Sequence, residues 1–341
     1  FKNLGIIIVD EESDASYKQE ESIIYNARDM AIVRASICLN SILLVSATPS
    51  LESYKNAKAK KYEHVKLTKR FASSKPPLIN IIDMKKESAK IISMKAINEI
   101  KDNIKNKKQS LILINRRGYA PIQICIKCGH IIKCKNCSIN LVLHKNENCL
   151  ICHHCGEREN IDYNCTKCHK KKSIIGLGFG VEKVYEEVKK IFSKEKIIIL
   201  SSDTISRSNF LDTLHDIQQN NIKIIIGTQI ISKGFDFSNL TKVFLLDFDM
   251  WFYNSDIRTG ERVFQLSQQV VGRAGRRDVQ GEVYIQTYDT ENKLLRKILQ
   301  SNRDSFYEEE LKARNHSLLP PFVKIAAVII SGTELKDTEL V

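Results

Sequence analysis

The chain has 341 residues, of which 43% are hydrophobic and 27% are charged, and its formal net charge is +13. This composition excludes a disordered chain, and since no apolar run reaches membrane-spanning length, we expect a globular protein with no membrane partner. The positive charge favours a polyanionic partner such as nucleic acid, although lysine is abundant along the whole chain and part of the charge can reflect codon bias.

The first predicted strand ends in a run of acidic residues. Gly5–Val9 is short, apolar and β-branched, as in a buried parallel strand, and Asp10, Glu11 and Glu12 follow it. Because ligands bind at the carboxyl ends of strands in α/β sheets, we expect Asp10 to hold Mg²⁺ and Glu11 to polarise an attacking water; an acidic turn without chemistry is the alternative. The tetrad that ends at Ser13 resembles motif II of superfamily 2 helicases, in which the fourth residue is often His.

A polar segment with aromatic and basic side chains comes next. It contains Tyr17, Lys18, Tyr25 and Arg28 and leads into a predicted helix over 27–37. Aromatic rings interleaved with cations suit stacking on single-stranded bases together with phosphate contacts, so the segment is a candidate for DNA binding. Ordinary anchoring of a loop is the alternative.

The second predicted strand, 42–45, leads directly into Ser46-Ala47-Thr48. These three residues resemble motif III of the same helicases, where small hydroxyl groups can link the nucleotide site to the DNA groove. A helix is predicted over 51–61, and the basic, Pro-containing stretch 68–78 is predicted to be a connector between lobes.

A second α/β unit is predicted after the connector. It begins with a strand over 80–83, an amphipathic helix over 93–106 and a strand over 110–115. Arg116 and Arg117 follow that strand and could hold DNA phosphates, or they could form a solvated turn.

Four Cys-x-x-Cys pairs then interrupt the unit. The pairs are Cys125 and Cys128, Cys134 and Cys137, Cys152 and Cys155, and Cys165 and Cys168. Each pair forms a knuckle that presents two thiolates, and two knuckles complete a tetrahedral zinc site, so the four pairs predict two Zn²⁺ ions. Ten cysteines in a chain without a signal peptide favour metal over disulfides and a cytoplasmic location, and a redox pair would be single.

The third knuckle has a competing cysteine. Cys149 also has Cys-x-x-Cys spacing to Cys152, but it is left out of the predicted ligand set because a glycine typical of a knuckle turn follows Cys155. His153 and His154 are interpreted as knuckle residues and not as ligands.

The chain after the insert is predicted to continue the same sheet. We expect a helix ending near 192, a strand over 196–200, a helix over 207–220 and a strand over 222–226. The following stretch, from Gly227 to Phe237, resembles motif V. That resemblance implies phosphate contacts from Thr228 and places Gly234 and Asp236 near the nucleotide.

The last helicase-like motif follows a strand over 243–246, an aromatic cluster over 251–253 predicted to pack in the core, and a helix over 257–270. It reads Gln-x-x-Gly-Arg-x-Gly-Arg, from Gln269 to Arg276, and resembles motif VI. In that motif the arginines, here Arg273 and Arg276, reach across a cleft to the γ-phosphate of the nucleotide. Its glycines are expected to let the backbone approach the ligand. A strand over 281–287, a helical stretch over 291–315 and a strand over 323–330 are predicted beyond it.

Together the motifs and the cysteine insert, which Gly118-Tyr-Ala-Pro121 precedes, resemble the PriA family of replication-restart helicases over nearly the whole chain. The resemblance implies a 3′-to-5′ DNA helicase that uses Mg²⁺ with ATP, binds stalled forks and single-stranded DNA, and works with other primosome proteins and single-strand-binding protein. It also implies how the zinc ligands are shared. The outer knuckles hold one ion (Cys125, Cys128, Cys165, Cys168) and the inner knuckles hold the other (Cys134, Cys137, Cys152, Cys155).

The expected fold is α/β, with RecA-like parallel-sheet lobes and a two-zinc insert. The predicted segments are the end of lobe 1 (1–67), a linker and the start of lobe 2 (68–121), the zinc insert (122–172), the remainder of lobe 2 (173–290) and the start of a C-terminal domain (291–341). No Gly-x-x-x-x-Gly-Lys-[Ser/Thr] phosphate loop occurs in the sequence. We therefore expect a partial copy that does not hydrolyse ATP alone; the alternative is a non-motor, zinc-bearing module that binds DNA or docks on a primosome.

Overall fold

The computed structural model divides the chain into two compact units. Unit 1 comprises Phe1–Val65 and Asn302–Val341, and unit 2 comprises Lys66–Ser301. Every structural statement concerns the residues that the structure describes, which are 4–19, 23–67, 75–87, 91–114, 122–136, 141–144, 149–152, 156–177, 179–200, 210–228, 237–252, 256–275, 279–300 and 302–326.

The secondary structure alternates between strands and helices. The strands are β1 Ile6–Asp10, β2 Lys18–Gln19, β3 Tyr25–Asn26, β4 Ser41–Val45, β5 Leu78–Asp83, β6 Gln109–Leu113, β7 Ile122–Cys125, β8 Val142–His144, β9 Cys149–Ile151, β10 Arg158–Asn160, β11 Ile174–Leu177, β12 Ile197–Leu200, β13 Ile224–Gly227, β14 Leu240–Leu245 and β15 Glu282–Thr287. The helices are α1 Ala27–Ile37, α2 Leu51–Lys58, α3 Met94–Lys105, α4 Val181–Ile191, α5 Phe210–Gln218, α6 Thr259–Val271, α7 Lys293–Gln300 and α8 Arg303–His316. Two short 3₁₀ turns, Ala15–Tyr17 and Phe248–Phe252, complete the described elements.

Unit 1 contains a parallel pair of strands, β1 and β4, in which Ile6 lies opposite Ser41 and Asp10 lies opposite Val45. Within the described residues no third strand joins this pair. Four apolar side chains of the pair are exposed, namely Ile6, Ile8, Leu43 and Val45. The segment between the two strands forms the short antiparallel hairpin β2–β3 and then helix α1.

Helices α1 and α2 both begin at a residue that suits a helix start. The Asn26 side chain accepts hydrogen bonds from the backbone N–H groups of Arg28 and Asp29, and the Ser50 hydroxyl accepts one from Ser53. These bonds satisfy N–H groups that have no partner inside the helix, and such caps stabilise a helix by about 1 kcal/mol. Both starts lie next to the strand ends that carry the helicase-like motifs.

Helix α8 packs on α2 within unit 1. The rings of Tyr54 and Tyr307 stack with their centroids 4.8 Å apart and their planes at 24°. Both side chains are buried. The segment that follows unit 2 in sequence therefore returns to the unit in which the chain begins.

Unit 2 is built on a six-stranded parallel sheet in the order β12-β13-β6-β14-β15-β5. Its strands β13, β6 and β14 are buried on both faces, and β13 is continuously apolar, as expected for a buried parallel strand. On one face the helices α3 and α4 pack against Ile112, Ile224 and Ile226 of the sheet. The predicted α/β class and the parallel sheet are thus confirmed.

A five-stranded antiparallel sheet in the order β10-β9-β8-β7-β11 lies between β6 and α4 in sequence. It carries the cysteine knuckles. The strand β11 returns beside β7, with Ile174 opposite Cys125, and so brings the two ends of the insert together. The chain can therefore leave the six-stranded sheet for the insert and resume it afterwards.

Several predicted bounds differ from the structure. Helix α2 ends at Lys58 and not near residue 61, and the predicted helical stretch over 291–315 is two helices, α7 in unit 2 and α8 in unit 1. The strand expected over 323–330 is absent from its described part, 323–326, and its remainder lies outside the described residues. Among the described residues, no helix combines the length and apolar character needed to cross a bilayer.

Candidate functional site

The four cysteines of the outer knuckles lie together in unit 2. The sulfurs of Cys125, Cys128, Cys165 and Cys168 all lie within 4.8 Å of one another. The Sγ atoms of Cys125 and Cys168 are 3.7 Å apart, and those of Cys128 and Cys165 are 3.6 Å apart. A tetrahedral ion with Zn–S bonds of about 2.3 Å requires S···S distances of about 3.8 Å. The donor set and its spacing therefore fit a closed zinc site.

A repeated backbone turn shapes the knuckles. At Cys125 the backbone N–H donates to the carbonyl of His130 at 2.8 Å, and the carbonyl accepts from Gly129 at 2.9 Å. Gly129 has a φ of +73°, in the left-handed region that favours glycine. The turn also directs the Lys127 N–H at the Cys125 sulfur, at 3.4 Å.

The same turn recurs at Cys165, where the backbone N–H donates to Lys170 at 3.0 Å and the carbonyl accepts from His169 at 2.9 Å. His169 occupies the left-handed position there, with a φ of +57°. Because this residue is not a glycine, only the Cys-x-x-Cys spacing indicated a knuckle here. Both halves of the four-sulfur cluster are thus built in the same way.

The turn also recurs at Cys152. The Cys152 N–H donates to Glu157 and its carbonyl accepts from Gly156, both at 2.9 Å, and Gly156 has a φ of +75°. By contrast, Cys149 lies in β9 and pairs with strands on both sides. Cys152 therefore begins the same turn as Cys125 and Cys165, and the turn supports the predicted pairing with Cys155 over Cys149.

The inner knuckles are described in part. Cys134 and Cys152 are both buried and share one apolar cluster with Leu141 and Leu150. Cys137 and Cys155 lie outside the described residues. Two of the four predicted inner ligands thus lie in one small core.

The protein environment of Cys125 favours the thiolate that a metal ion requires. Burial alone would raise its pKa, but hydrogen bonding with Ser173, whose hydroxyl is 3.3 Å from the sulfur, and with the backbone N–H groups of Cys128 and Lys127 lowers the pKa to about 6. Burial raises the pKa of the Cys128 thiol to about 12. Ser173 is a partner that the cysteine spacing did not identify.

In unit 1, the acidic residues lie at the carboxyl end of β1, as predicted. Asp10 is the last strand residue, and its exposed carboxylate accepts a hydrogen bond from the Glu11 N–H at 2.9 Å. Glu11 has a φ of +47°, so the chain turns sharply at this position. Asp10 lies opposite Val45, the residue that precedes Ser46-Ala47-Thr48. The residues that resemble motifs II and III are therefore neighbours in space.

The third acidic residue, Glu12, is the centre of a buried network. Its side chain is 2% exposed. Its carboxylate accepts hydrogen bonds from the Ser50 N–H at 2.6 Å, the Ser50 hydroxyl at 3.1 Å and the Arg28 guanidinium at 3.0 Å. Arg28 also donates to Asp29 at 2.8 Å. The sequence did not predict this network, because no spacing rule joins residues 12, 28 and 50.

This network changes the interpretation of Arg28. The sequence suggested a DNA phosphate contact, but the guanidinium is buried and is bound by Glu12, Asp29 and Ser50. The other candidates of this segment differ from it. Lys18 and Tyr25 are exposed on the β2–β3 hairpin, and the Tyr17 hydroxyl donates to the Asp10 carbonyl at 2.7 Å.

The helicase-like motifs of unit 2 are described in part. Thr228 follows β13 and is buried, while Gln269 and Arg273 are half-buried at the end of α6. The remaining candidates lie outside the described residues, namely Arg116, Arg117, Gly234, Asp236 and Arg276.

Gly275 has a packing role that its motif did not suggest. Its φ is +68°, and a Cβ placed on it would lie 2.1 Å from the backbone nitrogen of Gly281. The motif glycines were expected to let the backbone approach a ligand. In the structure, Gly275 lets its own backbone pack closely against that of Gly281.

Comparisons with known proteins agree with the cysteine knuckles and extend beyond them. The family described as the PriA DNA helicase Cys-rich region (CRR) domain matches residues 134–159. The replication restart protein PriA of Rickettsia conorii is 44% identical over 345 residues, which cover 100% of this chain and 53% of the relative. The PriA proteins of Haemophilus influenzae and Bacillus subtilis are 40% and 34% identical over 94% and 98% of this chain, and over 44% and 42% of their own lengths.

Among solved structures, yeast Dbp5 bound to RNA and ADP BeF3 has a TM-score of 0.46 and 12% identity, over 89% of this chain and 57% of that chain. This likeness is too distant to add to the sheet order described above. The chain spans about half the length of the curated relatives that it matches. Over nearly all of its residues, the chain belongs to the PriA family of replication restart proteins.

Proposed function

We propose that the chain is part of an ATP-dependent 3′-to-5′ DNA helicase of replication restart, which binds stalled forks and starts primosome assembly. The observation that carries the proposal is the placement of Asp10 and Glu11 at the carboxyl end of β1, beside the Ser46-Ala47-Thr48 turn. Identity of 44% to a replication restart protein along the whole chain supports the same function.

The proposed chemistry at this strand end is ATP hydrolysis with Mg²⁺. The exposed Asp10 carboxylate suits a magnesium ion, which favours oxygen ligands and keeps several of its waters. Bound Mg²⁺ would neutralise charge on the nucleotide phosphates. Glu11 would orient and polarise the attacking water. Gln269, Gly234 and Asp236 are proposed to bind the nucleotide, and Arg273 and Arg276 are proposed to stabilise the developing charge.

The proposed DNA contacts in unit 1 come from the β2–β3 hairpin. Lys18 and Tyr25 are exposed there, so a base can stack on the ring while the ammonium meets a phosphate. Tyr17 lies beside them, with its hydroxyl bonded to the Asp10 carbonyl. Arg28 is left out of the proposed contacts because its guanidinium is used within the protein. Arg116, Arg117 and Thr228 are proposed contacts from unit 2.

The insert is proposed to hold two zinc ions. The first would bind to the four-sulfur cluster. The second would bind to Cys134, Cys137, Cys152 and Cys155, and the buried positions of Cys134 and Cys152 support this set. Closed four-cysteine sites stabilise a fold and leave no open position for catalysis. The zinc ions would therefore hold the insert in shape for docking on forked or single-stranded DNA and on other proteins.

The proposed partners are forked and single-stranded DNA, other primosome proteins and single-strand-binding protein, and the proposed location is the cytoplasm. The net charge of +13 supports a polyanionic partner. The family membership supports a role in replication restart.

A second function is favoured by one observation. The four-sulfur cluster suits a closed, structural metal site, which fits a non-motor module that binds DNA or docks on a primosome through its zinc-bearing insert.

The two functions are separated by completing the chain with the part of the Rickettsia conorii relative that lies outside the match. Phosphate release from ATP is then measured with and without single-stranded DNA, and fork binding is measured in the same samples. DNA-stimulated turnover supports the helicase. Fork binding without any turnover supports the module.

A further inference from the structure

The turn at 46–50 is held by a helix that is more than 250 residues away in sequence. Arg303 Nη1 donates a hydrogen bond to the Ala47 carbonyl at 2.6 Å. The Tyr307 hydroxyl donates one to the Pro49 carbonyl, also at 2.6 Å. The sequence separations are 256 and 258 residues, yet all four residues belong to unit 1.

Both donors come from the same face of α8, because residues four apart on a helix are neighbours. Other contacts of α8 hold these two donors in place. Asn302 caps the helix by accepting the Ser305 N–H at 3.1 Å, and the Tyr307 ring is fully buried between Tyr54 and Phe306. A donor fixed by packing holds its acceptor more firmly than a mobile surface side chain does.

The opposite side of the turn is fixed by the acidic strand end. The Ser50 N–H and hydroxyl donate to the Glu12 carboxylate, which also binds Arg28. The turn therefore has two attachments. Its carbonyls are bound by α8, and its last amide is bound by the residue that follows Asp10 and Glu11.

We propose that Arg303 and Tyr307 are positioning residues that set the conformation of the 46–50 turn, and through Ser50 the orientation of Glu12. This inference rests on the proposed function, in which the turn links the nucleotide site to DNA. Neither residue is among those proposed to bind nucleotide or DNA. A helix that follows unit 2 in sequence thereby controls the turn beside the proposed catalytic carboxylates of unit 1, so displacement of α8 releases the turn.

The first test measures backbone hydrogen–deuterium exchange in the chain without ATP or DNA. Tyr307→Phe removes the hydroxyl and keeps the ring stack with Tyr54. We expect the Ser50 amide to exchange roughly three- to tenfold faster, the effect of losing one buried hydrogen bond. Arg303→Gln, which alters a partly exposed donor at the helix start, is expected to act in the same direction.

The matched control is Lys58→Gln. It removes the 2.5 Å contact of Lys58 with Glu308, which joins α2 and α8 without touching the turn. Ser50 exchange is expected to stay unchanged in this variant. Unchanged Ser50 exchange in both Tyr307→Phe and Arg303→Gln would overturn the inference. So would an equal acceleration at Val9 and Leu44, because it would indicate general loosening of unit 1.

The second test measures ATP turnover in the chain completed with the remainder of the Rickettsia conorii relative. Tyr307→Phe is expected to lower the ratio of DNA-stimulated to basal turnover by roughly threefold or more, while Lys58→Gln leaves the ratio unchanged. Faster Ser50 exchange with an unaltered ratio would overturn the positioning role. Absence of turnover in the unsubstituted protein would refute the proposed function, and the exchange measurement would still decide whether α8 sets the turn.

Discussion

The sulfur of Cys125 lies 3.7 Å from that of Cys168, although the two residues are 43 positions apart in sequence. The distances among the four sulfurs fit a shared metal ion, which would place its ligands at the corners of a tetrahedron. The contact joins the first and last knuckles of the insert, near the strands β7 and β11 by which the chain leaves and rejoins the six-stranded sheet of unit 2.

Metal content tests the two-ion proposal directly. Purified protein is expected to contain two zinc ions per chain, measured by atomic emission or a colorimetric chelator. Cys165→Ser is expected to lose one ion, because three thiolates do not close a tetrahedral site. Cys155→Ser is expected to lose the other.

Cys149→Ser is the matched control and is expected to keep both ions, since Cys149 is a strand residue and the knuckle turn begins at Cys152. Loss of an ion in Cys149→Ser, together with two ions in Cys155→Ser, would show that the wrong cysteine was assigned to the inner site.

A stability measurement tests the assignment of Arg28 to the interior. Arg28→Met removes the cation and leaves the Glu12 carboxylate buried with Ser50 alone. Breaking one partner of a buried pair costs about 3 kcal/mol, so unit 1 is expected to unfold at clearly lower urea concentration by circular dichroism. Asp29→Asn, at a partly exposed position, is expected to change stability little. Lower DNA affinity with unchanged stability in Arg28→Met would instead support a contact with phosphate.

Two substitutions test the proposed catalytic roles in the completed protein. Glu11→Gln keeps the size of the side chain but removes the charge that would polarise water, so ATP is expected to bind while hydrolysis collapses. Arg276→Ala is expected to lower turnover by roughly 10³-fold if the guanidinium stabilises transition-state charge.

Glu187→Gln, on helix α4 and paired with Lys190, serves as a neutral control. If Glu11→Gln retains the DNA-stimulated turnover of the unsubstituted protein, Glu11 has no role in the proposed mechanism. The same result for Arg276→Ala would exclude a role for Arg276.

The chain alone is expected not to hydrolyse ATP. It has no phosphate loop, so the backbone amides and lysine that would hold the β- and γ-phosphates are missing from its sequence. It is still expected to bind single-stranded DNA weakly, with affinity that falls steeply as salt rises, because lysines and arginines displace counterions. Phosphate release and fluorescence anisotropy check these expectations. Turnover by the chain alone would mean that the nucleotide site is misplaced.

The sequence predicted best where the chemistry is local. A Cys-x-x-Cys knuckle is four residues long, so its spacing predicted both halves of the cluster at Cys125 and Cys165. A strand followed by adjacent carboxylates is equally local, and Asp10 lies where the pattern placed it. The parallel sheet of unit 2 was predictable because two of its strands, β12 and β13, are short and continuously apolar.

Contacts between segments that are distant in sequence could not be predicted. Arg28 has a basic side chain in a polar segment, and only the fold reveals that Glu12 and Ser50 surround it. Likewise, the pattern of α8 predicted a helix but not the surface on which Tyr307 is buried. Gly275 was expected to let the backbone approach a ligand, and its close packing against Gly281 is not recognisable from sequence alone.

The parallel pair of strands β1 and β4 in unit 1 has a consequence for handling the protein. Among the residues that the structure describes, no strand pairs with the outer edges of β1 and β4, whose backbone donors and acceptors can pair with further strands, and the exposed Ile6 and Leu43 add apolar surface beside them. Exposed apolar strand edges promote aggregation. Samples of the chain alone are therefore expected to self-associate as their concentration rises, whereas co-expression with a segment that supplies neighbouring strands should keep them monodisperse.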